Sequence, residues 1–116
     1  MRVLKAVPGY TWPGMKVTFK RSGEVLDLTG AVVKFGFVDR DAVSKADLDG
    51  LPYTADVEDA TGGVAWIHLD PFPEAEADEA RILRKRLAVV VVTAAGEKLD
   101  YTDAVSTVVE IMPLEG

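Results

Sequence analysis

The single histidine, His68, lies in the apolar run Val64-Ala65-Trp66-Ile67-His68-Leu69. Nucleophilic catalysis through it would need a hydroxyl to activate and a carboxylate to orient the ring. No G-x-S-x-G elbow or comparable local signature accompanies it. A zinc site would need more ligands, and a chain with one His and no Cys offers only carboxylates. His68 therefore reads as a strand-face residue; a small hydrolase would require a cleft that brings carboxylates to it.

Acidic spacings suggest other chemistry. In Lys45-Ala46-Asp47-Leu48-Asp49-Gly50, the residues Asp47, Asp49 and Gly50 fit the third, fifth and sixth positions of an EF-hand loop, and Asp56 falls at the twelfth. Lys45 occupies the first ligand position, where a cation cannot coordinate calcium, and flanking helices are missing from the pattern. The stretch reads as a solvated acidic loop; a calcium site of another kind would draw on Asp39 and Asp41. Glu74, Glu76, Asp78 and Glu79 crowd one short segment, whereas a glycosidase pair needs a set separation across a cleft. They fit a helix N-terminus and a solubilising face. Gly62-Gly63 lacks the lysine that completes a phosphate-cradling loop. The expectation is a chain with no catalytic, metal or cofactor-binding constellation.

Aromatic residues are the remaining candidates, because they offer large contact area at modest entropic cost. Trp66 alternates with Val64 and is expected in the core. Tyr10 and Trp12, in a Pro- and Gly-rich segment outside any clear strand, are the expected partner-interface residues.

The elements that must carry these residues are mostly strands. Met15, Val17 and Phe19 alternate with Lys16, Thr18 and Lys20, the period-2 pattern of a strand with one buried face. Ser22-Gly23 predicts a turn, Val25 to Leu28 a short extended piece ending at Asp27-Leu28-Thr29-Gly30, and Ala31 to Val38 a second strand. Residues 39–59 predict a long loop with a short strand near Tyr53 to Val57. The turn Asp59-Ala60-Thr61-Gly62-Gly63 and the run Val64 to Leu69 predict a β-hairpin. Asp70 to Arg86 is the one candidate helix, with acids early, bases late and Pro73 in its first turn; it is short if Ile82 and Leu83 already belong to the next strand. Leu87 to Thr93 is continuous and β-branched, as in a central strand covered on both faces. Ala94 to Glu97 turns the chain back, and Val105 to Ile111 closes it.

At 116 residues with 48% hydrophobic content, the chain suits one domain spanning 1–116 whose packing supplies the stability. Residues 1–13 read as an N-terminal arm or edge strand. The net charge of −6 is uneven. Residues 1–23 carry five bases and no acid, while residues 24–80 carry fourteen acids against Lys34, Arg40 and Lys45. That acidic centre would repel a phosphate backbone, so nucleic acid is not an expected partner. No apolar stretch approaches the ~20 residues of a membrane span, and Pro8-Gly9 interrupts any signal-peptide core. Neither a membrane partner nor export is expected. The fold class that follows is all-β: a single antiparallel sandwich of about seven strands with one short helix.

Read in order, the strand Met15 to Lys20, the phrase Ser22-Gly23-Glu24-Val25-Leu26-Asp27-Leu28-Thr29-Gly30-Ala31-Val32-Val33-Lys34-Phe35 and the later Ala60-Thr61-Gly62-Gly63-Val64-Ala65-Trp66 resemble a phage family. This is the immunoglobulin-like domain at the N-terminus of baseplate upper proteins and in many small tail or virion proteins. The resemblance covers about residues 13–112. It departs from the pattern at Asp78 to Arg86, where a glycine commonly precedes the next strand. The resemblance implies an immunoglobulin-like sandwich and a non-enzymatic virion structural protein, in tail, baseplate or head-tail region, with no cofactor. Its implied partners are other virion proteins and further copies of itself. The alternative reading is a carbohydrate-binding or adhesive sandwich module, for which an exposed platform of Trp12, Trp66 or Tyr53 would be the mark.

Overall fold

Ser22 and Gly23 both take positive φ, 54° and 81°, the left-handed pair that a two-residue hairpin turn requires. The computed structural model, which describes residues 1–40 and 43–115, builds outward from that turn. In chain order the strands are β1 (Arg2–Ala6), β2 (Trp12–Thr18), β3 (Lys20–Arg21), β4 (Glu24–Val25), β5 (Val32–Val38), β6 (Tyr53–Thr54), β7 (Asp56–Asp59), β8 (Val64–Leu69), β9 (Leu83–Val92), β10 (Lys98–Asp100) and β11 (Thr107–Ile111). Two short helices, α1 (Lys45–Asp49) and α2 (Thr102–Val105), interrupt them. No helix among the described residues is long and apolar enough to cross a membrane.

The large sheet runs β1-β11-β9-β5-β6 with β10 also against β9, the small sheet runs β2-β8-β7, and β3-β4 is a separate ribbon. The two sheets share one core. Phe35, Leu87, Val89 and Val109 from the large sheet meet Trp12, Ala65 and Ile67 from the small one, all of them buried. Each such large side chain contributes about 1.5–3 kcal/mol by leaving water.

Asp27-Leu28-Thr29-Gly30 is the joint between ribbon and sheet. The Asp27 carboxylate accepts from both the N–H and the hydroxyl of Thr29, at 2.9 and 2.6 Å, closing a tight turn. The ribbon then crosses the β7-β8 hairpin: the Phe19 N–H donates to the Gly63 carbonyl and the Leu28 N–H to that of Ala60. Gly63 allows the crossing, since a Cβ there would sit 2.7 Å from the Leu26 carbonyl oxygen.

Several expectations need correction. The larger sheet is mixed rather than antiparallel, because β1 pairs parallel with β11, from Arg2 opposite Thr107 to Ala6 opposite Ile111. The strands outnumber seven because short ribbons such as β3, β4, β6 and β10 carry no alternation long enough to read. The predicted helix over Asp70 to Arg86 is only a 3₁₀ turn at Glu74–Glu76. The rest is a bent connection and then strand: the Asp78 and Glu79 carbonyls accept from the Leu114 and Glu115 N–H groups, and Leu83 onward pairs with β11. Residues expected to be loop instead hold α1, where Ser44 and Asp47 form a reciprocal capping box.

The continuous apolar stretch of β9 is covered on both faces, as expected. Beyond the main core, Ala88 and Val90 pack with Val38 and Leu51 in a second cluster, closed by Leu48 and Val43. Gly36 lets this cover lie flat, since a Cβ there would meet Pro52 Cδ at 2.9 Å and Leu51 Cδ2 at 3.0 Å.

Candidate functional site

The hairpin turn at Asp59 to Gly63 fixes which side chains of β8 face water. Its Asp59 carboxylate accepts from the Gly62 N–H at 3.0 Å, and β7 then pairs back with Asp56 opposite Trp66 and Val57 opposite Ala65. Ala65 and Ile67 point into the core, so Trp66 and His68 stand on the outer face of the small sheet. On the other side of β8, β2 places Lys16 opposite Trp66. One row across the sheet therefore reads Lys16, Trp66, Asp56.

Side-chain geometry makes this row a built cluster. The Trp66 and His68 rings stack with centroids 3.6 Å apart and planes 11° from parallel. The Trp66 indole N–H donates to the Pro13 carbonyl at 2.6 Å, which holds the ring upright. His68 Nε2 pairs with Asp56 Oδ2. Lys16 Nζ lies 5.7 Å from the Trp66 ring centre and 2.8 Å from Glu58 Oε1. The result is a pair of stacked rings bordered by one cation and two carboxylates, able to stack on a ligand's flat apolar face and to hydrogen-bond its rim.

Trp66 is thus on the outer face and not in the core where its spacing suggested. Trp12 shows the reverse. It is 2% exposed and packs edge-on against Phe37 and Phe72, both at 5.6 Å, so its ring is not part of the surface. Tyr10 is 70% exposed, on a backbone fixed by the Phe72 N–H donating to its carbonyl at 2.8 Å. The two residues expected to form one interface are therefore separated into core and surface.

The acidic candidates are engaged locally. Asp47 accepts from the Ser44 N–H at 3.0 Å, and Asp49 lies 3.3 Å from Lys98 Nζ. Lys85 donates to Asp39 at 2.8 Å and holds that carboxyl below its ordinary range. Asp41 lies outside the described residues. Glu76 accepts from the Tyr53 hydroxyl at 2.9 Å; burial first, then that bond, push the Tyr53 phenol well up. Among the described residues no group of three or more acidic or His side chains is arranged to hold a metal ion.

Sequence reasoning missed Asp56, Glu58 and Lys16 as neighbours of the aromatic pair. Counting outward from Asp59 opposite Val64 would set Val57 against Trp66; the β-bulge between Val57 and Asp59 moves the register by one and brings Asp56 there instead, and no local signal in the sequence announces it. No family model, no curated protein and no solved structure matches this chain.

Proposed function

We propose that this chain is a non-enzymatic structural protein of a phage virion, from the tail, baseplate or head-tail region, in which an immunoglobulin-like sandwich serves as a docking module. The observation that carries the reading is the Ser22 to Phe35 run. Its left-handed hairpin, its Asp27-Thr29 turn and strand β5 form a continuous joint that also grips the Thr-Gly hairpin, the two motifs on which the resemblance rests. Exposed strand edges and the protruding Tyr10 supply surfaces for other virion proteins. The test is mass spectrometry of purified particles from the source phage, with immunogold labelling. The chain is expected in stoichiometric amount at one end of the tail or at the head-tail joint; its absence from particles overturns the reading.

The Trp66-His68 stack favours a second reading, a carbohydrate-binding or adhesive module, because indole faces bind the apolar faces of sugars and the flanking Asp56 and Glu58 accept hydrogen bonds from hydroxyls. A glycan array would give hits that Trp66→Ala removes; an array without hits rejects it.

A further inference from the structure

The five edges of the two sheets differ in what they offer. On β2, Pro13 removes a backbone donor and blunts the edge. Strands β6 and β10 have only two and three residues. That leaves β1, paired on one side with β11, and β7, paired on one side with β8. Their side chains are of opposite charge. β1 reads Arg-Val-Leu-Lys-Ala, and neither Arg2 nor Lys5 has an ion-pair partner among the described residues. A depression of about 220 Å³ beside it is lined by Val3, Arg40 and the Arg84-Glu110 ion pair, so Arg40 is the base it adds to this side. β7 reads Asp-Val-Glu-Asp and is exposed throughout.

We propose that β1 of one copy pairs with β7 of the next, joining the chain head to tail. Charged edge residues ordinarily keep strands apart because like meets like. Here that protection holds for β1 against β1 and for β7 against β7, and it becomes attraction for β1 against β7. A β-bulge between Val57 and Asp59 breaks the regular spacing of β7, so a parallel pairing is anchored at its start: Arg2 opposite Asp56 and Val3 opposite Val57, with Lys5 beside the acids of the bulge, Glu58 and Asp59. Each edge also exposes an apolar residue to be covered, Val3 at 56% and Val57 at 38%. The contact uses two different surfaces of one molecule, so it closes into a ring or grows into a filament instead of stopping at a twofold dimer. The inference deepens the docking reading and rests on it for its setting. The two fail separately, because self-association is measured on the purified chain and incorporation on particles.

A charge swap tests it. By sedimentation velocity in low salt, the wild-type chain should form species larger than dimers as concentration rises, and salt should dissolve them. The variants Arg2→Glu/Lys5→Glu and Asp56→Lys/Glu58→Lys should each stay monomeric alone and associate when mixed, since mixing restores opposite edges. Circular dichroism establishes that each is folded. Because the chain has no cysteine, Val3→Cys combined with Val57→Cys should give a disulfide ladder on oxidation, while either substitution alone stops at dimers. A wild-type chain that is monomeric at millimolar concentration overturns the proposal, as does association that survives both charge reversals or a mixture that fails to associate.

Discussion

On the outer face of the large sheet, Gly36, Ala88 and Val90 lie under Leu48, Leu51 and Pro52. On the outer face of the small sheet, Trp66 and His68 stand without a covering layer, their rings stacked on each other and their rims tied to Pro13 and Asp56. The first face is apolar and closed by the chain itself. The second spends its largest aromatic side chain on a surface row of mixed charge. Trp66 is only partly exposed there, held by its stack on His68 and its bond to Pro13, so the small sheet covers its outer face with its own side chains where the large sheet uses a separate segment.

The two tryptophans give the largest contrast. Trp12→Ala removes a buried ring from between Phe37 and Phe72 and should cost about 3–5 kcal/mol, whereas Trp66→Ala should cost about 1 kcal/mol, the value of one hydrogen bond and partial cover. Urea unfolding of both variants decides it. Equal losses would mean that Trp66 belongs to the core after all and would remove its claim to a surface role.

Cover over the large sheet can be broken at one atom. Gly36→Ala sets a Cβ against Pro52 Cδ and Leu51 Cδ2, and since the proline ring cannot swing aside, the 43–52 segment must lift; the expected loss is about 1–3 kcal/mol. Limited proteolysis should find new cleavage between Ser44 and Pro52. The matching change on the other face, His68→Ala, leaves the backbone in place and should alter stability by less than about 1 kcal/mol, while raising the solvent accessibility of Trp66 in fluorescence quenching.

These contrasts explain how much the sequence could say. Alternation in Met15 to Phe19 and Val33 to Phe37 identified strands, and the unbroken Leu87 to Val92 identified the strand covered twice, because period and its absence both report burial. Alternation has no sign, however. Val64 and Trp66 share a face, and nothing local says whether that face is in or out; Ala65 and Ile67 took the core because the turn at Gly62-Gly63 set the phase. The helix expected at Asp70 to Arg86 failed for a similar reason. Its charge order suits a helix, but Leu83 to Arg86 pair instead with Ile111 to Val108, a ladder whose partner strand lies far along the sequence and leaves no local mark. In the candidate site, His68 and Trp66 were visible as residue types, and their partners Asp56 and Lys16 became visible only through register.

The smallest expected effect lies at the joint that ties the ribbon to the large sheet. Arg21 donates to Glu97 through both terminal nitrogens, at 3.3 and 3.1 Å, joining the β3-β4 ribbon to the turn after β9. The hydrogen bond first, and the guanidinium charge second, hold the Glu97 carboxyl below its ordinary value of 4.5. Asp27 is likewise held below 3.8 by the Thr29 hydroxyl and N–H. A carboxyl with a lower pKa folded than unfolded contributes stability that is fully present above the unfolded value and is lost as pH falls through the folded one. Glu97→Gln should therefore lower the melting temperature slightly above about pH 5, and the two curves should converge on further acidification as the wild-type carboxylate is protonated. Both partners are at the surface, so salt should shrink the difference across the whole range. A gap that persisted unchanged into acid would show that Glu97 acts through packing and not through charge.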